Sequence, residues 1–216
     1  TLRLMSHGRT PKEIADELLM PGKLSRQWFA RGYYGAVAHN VNAVYAHYLG
    51  PYDGNPTHLN PLPPVQAGKK YVEYMGGADA VVRRAREDYA TGEFRWVVEA
   101  LNHVVFADPG HRPARELAAD AMEQLGYQSE SATWRNAYLL AARELRSTSQ
   151  ASVPRGVGIS PDVVAILPLR SCLEYLGIRV NGPKAQEIEA SFDWRLTDGS
   201  GSESQRMVLS NGALNH

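Results

Sequence analysis

The spacing of apolar residues changes character three times along the chain, and each change marks a different kind of element. Thr10-Pro11-Lys12-Glu13 has the form of a capping box with proline at the first helical position. Ile14, Leu18 and Leu19 follow at helical spacing, so a helix is expected over residues 9–20, ended by Pro21-Gly22. A second helix is expected over residues 23–31. Val37, Val41, Val44, Tyr45 and Tyr48 then fall on one helical stripe. After Gly50 the pattern breaks into Pro51, Asp53-Gly54, Asn55-Pro56, Pro61, Pro63 and Pro64. That predicts a stiff, turn-rich loop of roughly fifteen residues, and loops of such length within a compact domain are commonly functional or interfacial.

Residues 65–146 read as helical throughout, with breaks at Gly76-Gly77, Gly92 and Asp108-Pro109. Ala85 recurs as Ala119, and Gly92 as Gly126, each 34 residues on. Each glycine is expected to close a helix ahead of one carrying aromatics, Phe94 and Trp96 in the first case, Trp134 and Tyr138 in the second. This is the tetratricopeptide-like helix-pair period, in too few copies for an extended solenoid. Residues 147–159 are rich in Ser, Gly and Pro and predict a linker. Residues 161–175 then read as a helix interrupted near Pro168. From Lys184 to Thr197 the chain alternates, with Ile188, Ala190, Phe192, Trp194 and Leu196 on one side, which predicts a strand with one wet face. Residues 198–201 form the expected turn, and residues 205–210 the hairpin partner. The fold class expected is therefore mainly α: an all-α helical bundle over residues 1–146, a linker over 147–159, and the start of a truncated α+β unit with an antiparallel hairpin over 160–216.

Both ends read as interrupted. Thr1 to Gly8 resembles the last turns of a helix, and a new strand begins at Ala213 after the Asn211-Gly212 turn. The sequence thus reads as part of a longer protein. At 216 residues and 44% hydrophobic content it can build a sizeable core in one or two domains. A formal net charge of zero argues against a broad basic face for nucleic acid. No apolar run is long enough for a transmembrane helix. Cys172 is the single cysteine, so no intrachain disulfide can form.

The candidate chemistry is sparse. His39 and His47, two turns apart on one helix, would stand roughly 12 Å apart by helix rise, too far to share an ion. No close His pair or Cys pair has metal-ligand spacing, so hydrogen-bonded or surface histidines account for them. Asp53-Gly54-Asn55-Pro56 lacks the spaced carboxylates of a calcium loop and reads as a turn. Tyr33, Tyr34, His39 and Asn40 fit either substrate contact or interface packing. Residues 8–15 have the look of the first helix of a helix-turn-helix module, although Trp28-Phe29 sits badly in a recognition helix. Phe192 and Trp194 fit a lipid pocket or an ordinary packed sheet.

The segment from Arg31 through Tyr33, Tyr34, His39, Asn40, Tyr45, Tyr48, Tyr52, Asp53 and Asn55 to Pro56 is similar to the signature of the alkyl sulfatase dimerisation domain. Residues 72–78, 101–107 and 131–139 resemble the same family, the alkyl sulfatases with a metallo-β-lactamase fold (the linear alkylsulfatases). Pro51 stands where that family commonly has tryptophan. The tail from about residue 160 resembles part of the family's C-terminal sterol-carrier-like domain. The resemblance implies a parent enzyme that hydrolyses sulfate esters of long-chain alcohols, of the dodecyl sulfate type, using two zinc ions held by an N-terminal catalytic domain. It implies no cofactor and no catalytic residue within this segment, which would make the homodimer and frame the active-site entrance. By the same resemblance Arg31, Tyr33, Tyr34, His39, Asn40, Tyr45, Tyr48, Tyr52, Asp53 and Asn55 form the dimer or entrance signature, and Phe192 and Trp194 contact the alkyl chain. The partners implied are a second copy, the catalytic domain and the alkyl sulfate, with no nucleic acid; the setting implied is a soluble bacterial protein, periplasmic or secreted. The alternative is a stand-alone tetratricopeptide-like scaffold with a lipid-binding accessory domain.

Overall fold

The computed structural model describes residues 1–147, 160–198 and 201–215. It divides the chain into two compact units, Thr1–Ala151 and Ser152–His216. Most of the linker expected over residues 147–159, and the middle of the turn expected over 198–201, lie outside the described residues.

The first unit is all helical. Its N-terminal layer comprises α1 (Leu2–Ser6), α2 (Pro11–Glu17), α3 (Gly22–Ser25) and α4 (Val37–Leu49). The capping box forms as expected: the Thr10 hydroxyl oxygen accepts from the Glu13 amide, and the Thr10 amide donates to the Glu13 carboxylate at 2.8 Å. The helix nevertheless stops at Glu17. Ile14 is buried, but Leu19 lies beyond the helix and is exposed. The helix expected over residues 23–31 is corrected more strongly. α3 ends at Ser25, and only a 3-10 turn, Trp28–Ala30, follows. A four-residue helix offers no face to bury, so Trp28 and Phe29 stand out in solvent, meeting edge to face at 6.0 Å. That geometry also removes the second helix on which the helix-turn-helix reading depended. Leu4, Ile14, Val41 and Tyr45 make a small core beneath the layer.

Behind this layer lies a helical bundle: α5 (Pro64–Tyr74), α6 (Ala78–Ala90), α7 (Phe94–Ala107), α8 (Arg112–Gln128) and α9 (Ala132–Arg146). Its core is apolar and continuous, with Val97, Leu101, Val104, Ala114 and Ala121 fully inaccessible. α5 approaches α7 closely because Gly68 has no side chain; a Cβ there would sit 2.7 Å from the His103 carbonyl oxygen. Ala85 and Ala119, the two repeat alanines, are both buried. The repeat glycines differ. Gly92 has φ +87° and ends α6 as expected. Gly126 lies inside α8 and is buried; a Cβ on it would meet Leu139 of α9 at 2.9 Å, so it serves close helix packing rather than closure. Arg146 ties α9 to α8 through Asp120 (2.7 Å) and Glu123 (2.6 Å). Its guanidinium holds the Glu123 carboxyl below the usual carboxylate range.

The second unit contains α10 (Pro161–Ile166), α11 (Leu169–Gly177) and α12 (Gly182–Ala185), then β1 (Ala190–Asp198), β2 (Gly201–Ser210) and β3 (Ala213–Asn215) in an antiparallel sheet of order β1-β2-β3. The helical break near Pro168 falls where expected. The strand does not begin at Lys184 but at Ala190, because Asn181 caps a short helix, Gly182–Ala185, that takes in Lys184. Phe192 pairs with Met207, and Met207 is buried together with Leu173 of α11. Asn211 and Gly212 both take positive φ, 49° and 76°, as a two-residue hairpin turn requires. Among the described residues the chain is thus mainly α, with twelve α-helices and one small antiparallel sheet.

Candidate functional site

The most distinctive local arrangement joins residues 31–34 to the start of α9. Ser131 is the N-cap of α9, and its hydroxyl oxygen takes the Trp134 amide. The same hydroxyl donates to the Tyr34 carbonyl at 2.7 Å, and Thr133 donates to that carbonyl at 2.9 Å. The Ala132 amide donates to the Tyr33 carbonyl at 2.7 Å, and Arg31 pairs with Glu130. A segment without regular structure is therefore held at several points by a helix terminus whose amides lack partners within the helix. With the backbone of Tyr33 and Tyr34 bound inward, their rings are left outward, Tyr34 being 81% exposed. Arg31, Glu130, Val37 and Trp134 line a cleft of about 330 Å³ beside this junction.

The remaining signature residues separate into three groups. His39 and Asn40 lie on the exposed first turn of α4. Tyr45 faces inward with Leu4, Ile14 and Val41, while Tyr48 is exposed and touches the His47 ring edge to face at 5.1 Å. Tyr52, Asp53 and Asn55 sit on the loop after Gly50. There Asp53 accepts from the Asn55 amide at 3.1 Å and contacts His58 Nδ1 at 2.6 Å. The Asn55 amide, then the His58 ring, keep the Asp53 carboxyl below its ordinary pKa. Asn55 in turn caps a 3-10 turn, Pro56–His58, by accepting from the Thr57 amide. The loop packs along α5, where Leu62, Ala67, Tyr71 and Tyr74 line an apolar groove of about 460 Å³.

Several residues that belong to this surface are not legible as such in the sequence. Trp28 and Phe29 lie on a segment expected to be helical. Tyr71 and Tyr74 lie three apart on α5, a spacing that signals a shared face but not whether that face is covered. Ser131 carried the one usable signal, a capping residue ahead of a helical run.

In the second unit Phe192 and Trp194 sit on the same face of β1, 45% and 43% exposed, and the opposite face carries the Asp193–Arg206 ion pair at 2.9 Å. Among the described residues no three His, Cys, Asp or Glu side chains gather as a metal-holding group. No described helix is long and apolar enough to cross a membrane.

Comparison with known proteins names the family. Residues 10–148 match the alkyl sulfatase dimerisation family. The chain belongs to that family. Residues 158–216 match the alkyl sulfatase C-terminal family. Among similar proteins, the alkyl/aryl-sulfatase of Saccharomyces cerevisiae is 54% identical over 196 residues, 90% of this chain and 30% of the relative. A linear primary-alkylsulfatase of Pseudomonas sp. is 46% identical, covering 100% of this chain and 32% of the relative. The solved stereoselective inverting sec-alkylsulfatase of Pseudomonas sp. superposes with a TM-score of 0.89 at 45% identity, over 99% of this chain and 33% of that structure. The chain therefore spans about a third of the length of the alkyl sulfatase relatives it matches.

Proposed function

We propose that the chain is the self-association and substrate-guiding part of an alkyl sulfatase that hydrolyses sulfate esters of long-chain alcohols, of the dodecyl sulfate type. On this reading residues 1–146 are the dimerisation domain, 147–159 the linker and 160–216 the beginning of a sterol-carrier-like domain. The cleavage chemistry, with two zinc ions polarising the ester and supplying hydroxide, belongs to a catalytic domain outside these residues. Arg31, Tyr33, Tyr34, His39, Asn40, Tyr48, Tyr52, Asp53 and Asn55 bound the partner or the entrance, with Tyr45 supporting them from the core. Phe192 and Trp194 receive the alkyl tail. A periplasmic or secreted location follows the same family reading.

The observation that carries the proposal is the outward set of aromatic side chains at Trp28, Phe29, Tyr34 and Tyr74 on a module whose helices are otherwise well packed. Exposed apolar area on that scale marks a protein interface. The test is the mass of the chain in solution by light scattering after gel filtration. A species near twice 23.8 kDa is expected. A monomer throughout the micromolar range overturns self-association by this segment. For the tail-binding part, dodecyl sulfate below its micelle concentration should shift the fluorescence of the chain, and Trp194→Ala should remove that component of the shift.

A further inference from the structure

The loop after Gly50 and α5 enclose a groove of about 460 Å³, within the size range of small-molecule sites. Pro61, Leu62, Ala67, Tyr71 and Tyr74 give it apolar walls. Thr57 also lines it, but its hydroxyl already donates to the Asn55 side chain at 2.9 Å. Lys70 supplies the one charge, and no carboxylate stands among the lining residues. Lys70 meets Glu73 at 3.5 Å, yet both side chains are largely exposed, and a pair so open to water is worth little. The ammonium can therefore turn to another anion without leaving a buried carboxylate behind.

We propose that this groove binds an amphiphile with an unbranched alkyl chain and a monoanionic head. The chain lies against Leu62, Tyr71 and Tyr74, and the head meets Lys70. This rests on the alkyl sulfatase reading above and deepens it, by naming a place in the first unit where a substrate monomer leaves water.

The lining chemistry selects this occupant. Leu62, Tyr71 and Tyr74 are 56%, 54% and 88% exposed, so a chain laid along them removes apolar area that the fold itself leaves wet. A peptide would bring amide groups that apolar walls leave unpaired, whereas an alkyl chain brings none. A cationic head would meet Lys70 with like charge; a sulfate meets it with opposite charge.

The groove is also shaped in advance. Pro61, Pro63 and Pro64 fix φ along its loop wall. The loop is braced by the Asn55 amide and the His58 ring on Asp53, and by the Thr57 amide on Asn55. Gly68 seats α5 closely on α7, and the Tyr71 ring lies over His103 with centroids 4.3 Å apart. A site that needs no ordering loses less freedom on binding.

The test titrates decyl sulfate, below its micelle concentration, into the whole chain, reading methyl NMR shifts alongside light scattering. Expected is one saturable site reported by Leu62 and Ala67. Going from octyl to decyl sulfate should tighten it several-fold, each buried methylene being worth up to about fourfold. Decyltrimethylammonium should bind at least about twofold more weakly than the sulfate. Lys70→Gln should weaken decyl sulfate about two- to fivefold and leave decanol unchanged. Leu62→Ser should weaken both ligands about fivefold or more, and Tyr74→Ser, at a more exposed position, serves if that variant fails to fold. Shifts confined to the sheet of the second unit overturn the groove and leave the tail-binding reading of Phe192 and Trp194 standing. No saturable binding anywhere defeats both. Shifts that begin only at the micelle concentration, or equal binding of the cationic amphiphile, overturn the groove as a site for the anionic monomer. A dimer that falls to monomer as the groove fills assigns the groove to a second copy and overturns the proposal.

Discussion

The N-terminal layer and the helical bundle belong to one all-helical unit, yet they solve burial differently. In the bundle, helices of eleven to seventeen residues face one another, and small residues at the crossings let them close up. In the layer, helices of four to seven residues alternate with turns, and only α4 is long enough to offer a stripe. A short helix covers little area, so its apolar residues are left for some other surface. The comparison teaches that the exposure of Trp28 and Phe29 follows from element length and not from composition, since both regions carry aromatics.

The sharpest way to break the comparison is to remove equal side chains from the two cores. Leu101→Ala should destabilise the first unit by about 2–5 kcal/mol, seen as a lower unfolding midpoint at any protein concentration. Ile14→Ala removes similar apolar volume but should open α2 and α4 alone, seen as local exchange with the bundle midpoint nearly unchanged. A fall in the bundle midpoint as large as that of Leu101→Ala would show the two regions to be one cooperative core.

Next in size is Gly68→Ala. Its new Cβ would meet backbone atoms of α7, which cannot swing aside, so α5 must move and about 1–3 kcal/mol is expected by denaturant unfolding. Gly126→Ala meets the end of the Leu139 side chain instead and should cost less.

Ser131→Ala tests the link between the regions. It removes an N-cap and one hydrogen bond to Tyr34, and about 1 kcal/mol is expected in unfolding. Exchange should rise at residues 31–35 more than in the bundle interior.

The smallest effect concerns pH. Asp53 and Glu13 both have lowered pKa values, Asp53 through the Asn55 amide and Glu13 through the Thr10 amide. A carboxyl with a depressed folded pKa contributes stability above its unfolded value near 4 and loses it as pH falls through the folded one. Acidification below about pH 4 should therefore loosen the loop after Gly50 and the start of α2, measurable as faster amide exchange there. Asp53→Asn should remove the loop's share of that dependence.

Much of this molecule was legible beforehand because local rules decided it. The capping box at Thr10, the breaks at Gly76-Gly77, Gly92 and Pro168, and the Asn211-Gly212 turn each depend on a few neighbouring residues whose backbone preferences agree. The misreadings arose where a local signal had two outcomes. The apolar run at Trp28 and Phe29 fits a helix, but nothing nearby offers a surface for that helix to cover. Gly126 matched Gly92 in spacing but not in role, because its neighbour across the crossing is Leu139, thirteen residues away. The signature tyrosines illustrate the same limit: Tyr45 and Tyr48 lie three residues apart on one helix, and one is buried while the other faces water. The sequence by itself determined the helical period, the element boundaries set by glycine, proline and caps, and the family to which the segments belong. Only the tertiary structure decided which apolar faces are covered, since burial is a property of two surfaces in contact and a single segment specifies just one of them.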